Sequence, residues 1–363
     1  MSKRILIVRL SAIGDVIQST PVARQLKLQH PDWHVAWVVE RKALAGIAHN
    51  PHVDEVIVMD TRRMASWREM WQRLRGKYDI TLDLQCLLKA GLVTWIAHSP
   101  LRIGRDDARE GARFAYNRLM PTRMDHIYIS QHYLEQGADL GLDPGDYVPE
   151  LFLSEEDHAT AERLWAAAGL GELSPVGALT GTRCRGDGRL RSGERSYRHG
   201  PAVVALLAFS AEPTREWPTE RFARVGDALA ERYGARCVIF GSKAEVPRAE
   251  ALAAQMQSKP VILAGKTSLG SAAAFLQRCN LAIGADTGLT HYTFALGTSL
   301  ICLLGPSPLR NGPKSDKAIT LWSECPHRPC RPSDRCRRGE GRPCMEGITV
   351  EQVLKAAGRL LRC

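Results

Sequence analysis

The feature that most constrains this chain is an alternation, run twice, of short apolar β-forming stretches with amphipathic helical ones. Ile5-Leu6-Ile7-Val8 gives way to a helical pattern near 17–29, then HVAWVVE, VDEVIVMD, a helix around 67–75, YDITLDLQ and a further helical pattern from Leu87. The alternation restarts with VVALLAFS, a helix over 218–233, ARCVIFG, a helix near 245–257, PVILAG, a helix near 268–277, NLAIGAD, a helix from Gly288, and LICLLGP. Strands apolar on both faces and separated by helices of this length pair in parallel, with helices covering the sheet on either side. The fold class is therefore α/β, with two doubly wound domains, as a length of 363 residues also suggests. The spacing predicts a first domain over 1–165, a second over 166–349 and a closing helix over 350–363, with EEDHATAERLWAAAGLG as the helix leading across.

Composition excludes some functional classes. In MSKRILIVRLSAIGD only four apolar residues separate the basic flank from Arg9, too few for a signal peptide, and no later run reaches the length of a membrane span. The expected location is cytoplasmic. A formal charge of +10 points to anionic partners. Without an export signal the ten cysteines are expected to be reduced. Cys325, Cys330, Cys336 and Cys344 cluster, but their spacing matches no paired CxxC zinc knuckle, and no metal is assigned to them. The Arg- and Gly-rich stretch 181–200, GTRCRGDGRLRSGERSYRHG, is too poor in apolar residues to offset its ordering entropy and is predicted to be a disordered basic loop. It has few interleaved aromatics, so nucleic acid is not an expected partner.

Three constellations sit at strand ends, where open α/β sheets bind ligands. In RILIVRLSAIGDVIQSTPVARQL, Ser11, Gly14 and Asp15 follow the first strand. By spacing Asp15 fits a helix cap first, and it also fits a carboxylate that takes a proton from a hydroxyl nucleophile. In NLAIGADTGLTHYTFALG a strand ends at Asp286, and Thr287-Gly288 open a helix whose first turn carries His291, a phosphate-cradle pattern. In AEPTREWPTERF, Arg215 precedes a helix start, where a fixed cation would stabilise a departing diphosphate.

Together, VRLSAIGDVIQSTPVARQL, DLQCLLKAGL, the REWP helix start and DTGLTHYTFALGTSLICLLGPSP resemble the ADP-heptose:lipopolysaccharide heptosyltransferases of glycosyltransferase family 9. The resemblance runs in order over most of the chain. It implies a GT-B fold of two Rossmann-like domains facing across a cleft, the first binding acceptor and the second nucleotide-sugar. It also implies inverting transfer of heptose from ADP-heptose without metal or other cofactor. On that pattern Asp15 is the general base. Thr287 and Gly288 form the diphosphate-binding helix start, Asp286 and His291 are donor-site residues, and Glu245 suits the adenosine ribose.

Arg62, Arg63, Arg68, Lys89 and Arg109, with Ser11 and Gly14, lie in segments similar to the acceptor-binding parts of the enzyme that adds the first heptose to Kdo. A basic lining suits sugar carboxylates and lipid phosphates. The implied acceptor is Kdo-lipid A or inner-core lipopolysaccharide, reached by peripheral contact of basic first-domain loops with the inner face of the inner membrane. The alternatives are addition of a later inner-core heptose, or a degenerate, non-catalytic nucleotide or nucleic-acid binder. The chain departs from the family pattern at Arg215, where lysine is usual, and at Cys86, where glycine is usual. It departs again over 181–209, where a Gly- and hydroxyl-rich phosphate turn is expected; Ser210 and Thr214 are the substitutes closest to hand.

Overall fold

In the computed structural model, which describes residues 2–122, 128–171, 201–330, 336 and 342–361, the chain forms two compact α/β units. The first comprises Met1–Phe152 with the short Leu309–Asn311 segment, and the second comprises Leu153–Pro308 with Gly312–Cys363. The segment 181–200 expected to be disordered lies outside the described residues.

The first unit carries strands β1 (Arg4–Val8), β2 (His34–Glu40), β3 (Glu55–Met59), β4 (Ile80–Asp83), β5 (Leu101–Arg105) and β6 (Arg118–Met120). The second carries β7 (Val203–Leu207), β8 (Arg236–Ile239), β9 (Val261–Ile262), β10 (Leu281–Ala285), β11 (Leu300–Leu304) and β12 (Ala318–Trp322). The sheet orders are β3-β2-β1-β4-β5-β6 and β12-β11-β10-β7-β8-β9, with every pairing between these strands parallel. Both have the connectivity of a dinucleotide-binding doubly wound sheet, so strand order reverses between β1 and β4 and again between β7 and β10. Those two switch points locate the ligand crevices. Strands β5, β6 and β12, which stood out less in the sequence, extend the sheets.

The runs fold this way because they are apolar on both faces. Ile5, Leu6, Ile7 and Val8 are all fully buried, as is every residue of β10 and β11. In the first unit Leu6, Val8, Val38 and Ile57 pack against Met70, Leu74 and Val93 from the covering helices. In the second, Val204, Leu206, Ile283 and Leu303 pack against Phe222, Val225 and Val353. Register at the second switch point pairs Leu207 with Gly284, and a Cβ at 284 would stand 2.5 Å from that of Leu207, so only glycine fits the interstrand approach.

Two expected boundaries shift. The division falls between Phe152 and Leu153, because the Glu155–Ala167 helix, capped by Ser154, packs against the Leu269–Arg278 helix of the second unit. The Val350–Leu360 helix is no separate piece: Val353, Ala357 and Leu360 on one face belong to the second core, beside the Thr219–Tyr233 helix.

Candidate active site

The first switch point is built around a buried cation. Arg9 leaves the end of β1 with its side chain 7% exposed; its Nη1 donates to the Leu84 carbonyl at 2.8 Å and its Nη2 meets Asp15 Oδ2 at 3.0 Å. The guanidinium also lies 5.0 Å from the Tyr133 ring centroid. Burial works against the Arg9 charge, but Asp15, with Tyr133 and Asp83, outweighs it and holds the guanidinium more firmly protonated than usual. Asp15 Oδ1 accepts from the Tyr133 hydroxyl at 3.4 Å, and Oδ2 accepts from the Ala12 amide at 3.2 Å. Asp15 is thus not the N-cap that the sequence allowed: it lies in the first turn of the Ile13–Gln18 helix, whose N-cap is Ala12, and reaches back to that residue's amide. Even so, the carboxylate remains 39% exposed, gripped on one side and open to solvent on the other.

Neighbouring β4 supplies the frame. Gln85 Oε1 accepts from the amides of Leu10 and Ser11, fixing the loop that carries Gly14 and Asp15. Asp83 is fully buried and accepts from the amides of Gln85 and Cys86, from Thr94 Oγ1 and from the Tyr116 hydroxyl at 2.7 Å. Burial still pushes its carboxyl above the ordinary aspartate value. Cys86 has φ +56°, the left-handed region where glycine is at ease. A cysteine there bears backbone strain that a glycine would not.

The proposed acceptor cations lie on the same unit. Arg62 and Arg63 occupy the exposed turn before the Met64–Leu74 helix, and Arg68 is exposed on that helix. Arg63 lines a recess with Arg41, Asp60 and Glu69. Lys89 Nζ donates to Thr61 Oγ1 at 3.1 Å, drawing the Leu88–Ala97 helix start to that turn, and Thr61 in turn donates to Glu40. Arg109 is exposed and joins the Cys86 carbonyl through its backbone amide.

At the second switch point Asp286, 3% exposed, is the hub. Its Oδ1 meets His291 Nε2 at 2.8 Å, and its Oδ2 accepts from Ser307 Oγ at 2.5 Å. Arg215 Nη1 donates to its backbone carbonyl at 3.2 Å and lies 3.4 Å from Oδ2. Burial pushes the carboxyl up, but the His291 and Ser307 hydrogen bonds and the Arg215 charge override it, down to about 2. Thr287 caps the Gly288–Ala295 helix in extended conformation without a side-chain cap bond, and its hydroxyl meets Thr290 Oγ1 at 3.2 Å. The helix start thus keeps amides for a ligand beside the Arg215 cation. Glu216 holds the Ser210 amide at 3.0 Å while pairing with Arg248 at 2.7 Å. The buried Thr214 hydroxyl has no protein partner among the described residues. Glu245 bonds the Ser242 amide within its own turn after β8.

Of the residues the sequence singles out, the structure brings Asp286, His291 and Arg215 together; Arg9, Tyr133, Gln85, Ser307 and Glu216, which hold the two strand-end loops, carry no sequence motif that marks them. A charged residue directly after a buried strand, as Arg9 is, was the available signal. Among the described residues no three His, Cys, Asp or Glu side chains group to hold a metal, and no helix is long and apolar enough to cross a membrane.

Comparison with known proteins matches residues 67–338 to the family model "Glycosyltransferase family 9 (heptosyltransferase)". The chain is 28% identical to lipopolysaccharide heptosyltransferase 1 of Pseudomonas aeruginosa, over 90% of this chain and 86% of that one. It is 26% identical to lipooligosaccharide heptosyltransferase 2 of Haemophilus influenzae, over 87% and 88%. Among solved structures it superimposes on a family 9 glycosyl transferase from Veillonella parvula with TM-score 0.79 and 25% identity, covering 99% and 97%. It also superimposes on the E. coli heptosyltransferase WaaC solved with ADP-2-deoxy-2-fluoro heptose, with TM-score 0.65 and 24% identity, covering 98% and 99%.

Proposed function

The chain belongs to glycosyltransferase family 9, and from that premise we propose that it moves heptose from ADP-heptose to the inner core of lipopolysaccharide, with Asp15 as general base. The observation that carries this is the Asp15 carboxylate, anchored by Arg9 and Tyr133 and open to solvent at the end of β1. Asp15 takes the proton of an acceptor hydroxyl as that oxygen attacks the anomeric carbon. The carbon–oxygen bond to ADP breaks on the opposite face, and its electron pair leaves on the diphosphate. Such proton transfer contributes about 10²–10⁴ in rate. Arg215 and the amides opening the Gly288–Ala295 helix stabilise the charge arriving on the diphosphate.

The ADP-heptose analogue bound in the related E. coli enzyme supports this donor. The exposed cations Arg62, Arg63, Arg68, Lys89 and Arg109 favour an anionic acceptor, Kdo-lipid A for the first heptose, met at the inner face of the inner membrane. Relatives named both heptosyltransferase 1 and heptosyltransferase 2 make a heptosylated acceptor the second reading. The test is heptose incorporation from ADP-heptose into Kdo-lipid A and, separately, into Kdo-lipid A already carrying one heptose. Incorporation into the first alone supports the reading; incorporation only into the second moves the enzyme one step later.

A further inference from the structure

The first unit exposes an apolar face that neither its core nor its site uses. In the Leu88–Ala97 helix, Leu88, Leu92 and Trp95 recur at i, i+4 and i+7 and are 46%, 42% and 53% exposed, while Lys89 is the helix's only charge. Two neighbours extend the stripe. Trp71, on the adjoining Met64–Leu74 helix, packs its ring 5.8 Å from that of Trp95. On the other flank Ala112 comes so near that a Cβ at Gly91 would stand 3.0 Å from it. This seats the short Ala112–Ala115 turn, with Phe114 86% exposed, against the same helix. Single exposed apolar residues are ordinary, but five on three adjoining elements are not.

The rim decides what covers this face. Arg68 and Arg75 flank Trp71, with the Arg75 guanidinium 4.2 Å from its ring centroid, and Arg113 stands beside Phe114. Of the nearby acids, Glu69 is exposed and Glu110 accepts from the Leu88 amide. A second copy docking here by two-fold symmetry would set the same cations against one another. An anionic lipid surface instead takes tryptophan and leucine at its headgroup boundary and pairs its phosphates with the arginines.

We infer that the stripe of Trp71, Leu88, Leu92, Trp95 and Phe114, rimmed by Arg75 and Arg113, is a face that docks on an anionic lipid membrane. The inference rests on the proposed contact with the inner membrane and gives that contact a face; none of these seven side chains is assigned a part in the transfer chemistry.

The test is flotation of the full-length protein with phosphatidylcholine vesicles made with and without phosphatidylglycerol. The protein is expected to float with the phosphatidylglycerol vesicles alone. The pair Leu92→Glu and Trp95→Glu should weaken partitioning by at least about tenfold. Arg75→Gln and Arg113→Gln should each weaken it by about fivefold. Phe114→Ser, on a residue too exposed to support the core, should weaken it without changing thermal unfolding. Flotation unchanged by Phe114→Ser and by the glutamate pair would overturn the inference. So would equal binding to both vesicles, or a wild-type dimer in sedimentation that the glutamate pair abolishes. Because the readout is binding to lipid, failure here leaves heptose transfer untouched, and failure of heptose transfer leaves this result untouched.

Discussion

Replacing Arg9 by methionine probes how the carboxylate of Asp15 is held. The substitution keeps apolar volume in a buried position but removes three interactions. The donor to the Leu84 carbonyl at 2.8 Å is worth about 1 kcal/mol net. The contact over the Tyr133 ring at 5.0 Å adds about 1 kcal/mol in a desolvated setting. The Asp15 ion pair is discounted to below about 1 kcal/mol, because that carboxylate is 39% exposed and water can replace the guanidinium. A loss of about 2–3 kcal/mol corresponds to a fall in Tm of roughly 5–10 °C for a unit of this size. With its anchor gone Asp15 samples more orientations, and kcat should fall about 10- to 100-fold. The KM for ADP-heptose should hold, since Arg215, Asp286 and His291 belong to the other unit. Steady-state ADP release, measured well below the variant's Tm, separates the two parameters. Arg9→Lys should recover part of kcat, because it restores the charge but not the fork that reaches both Leu84 and Asp15. Full kcat in Arg9→Met at any stability would refute the idea that Arg9 orients the base.

Two further outcomes follow from the geometry. Arg215→Ala should weaken ADP binding by about tenfold or more in isothermal titration, the worth of one charge-assisted hydrogen bond to phosphate; unchanged affinity would remove Arg215 from the diphosphate site. Burial first, and the Arg105 charge second, lower the His132 imidazole from 6.5 to about 4. The unfolded chain therefore binds the proton more readily between those values, and stability should decline as pH falls from about 6.5 toward 4. Urea titrations of wild type and His132→Gln measure this, and equal slopes in that window would contradict the burial of a neutral histidine.

Much of the architecture was legible because it depends on local pattern. Runs as short as ILIV and LICLL, alternating with longer amphipathic helical stretches, read as strands covered on both faces, and the helices between them fix the parallel sense. Strands Leu101–Arg105 and Arg118–Met120 carry arginines and short apolar stretches, so their place is set by pairing with the sheet rather than by their own periodicity. The single helix expected over 17–29 proves to be two, Ile13–Gln18 and Thr20–Gln29, joined at Ser19. At the site, Asp286 and His291 are five residues apart on one helix start and could be paired by spacing. Tyr133 reaches Asp15 from 118 positions away, and Gln85 reaches Ser11 from 74, contacts that only the folded sheet creates. Arg9 directly follows the ILIV run, and nothing in its spacing points to its partners. Its role depends on Leu84 and Asp15 converging at the switch point between β1 and β4.

The central claim is that Asp15 takes the acceptor's proton, and Asp15→Asn tests it most directly. The amide is nearly isosteric and its oxygen can still accept from Arg9, which would otherwise keep only the Leu84 carbonyl and the Tyr133 ring. The measurement is acceptor-dependent ADP release from ADP-heptose by wild type and Asp15→Asn, with ADP affinity and Tm determined on the same preparations. The account predicts that Kdo-lipid A stimulates release by the wild type and that the variant loses it by about 10²–10⁴-fold with both controls preserved. A variant that turns over at the wild-type rate would contradict it.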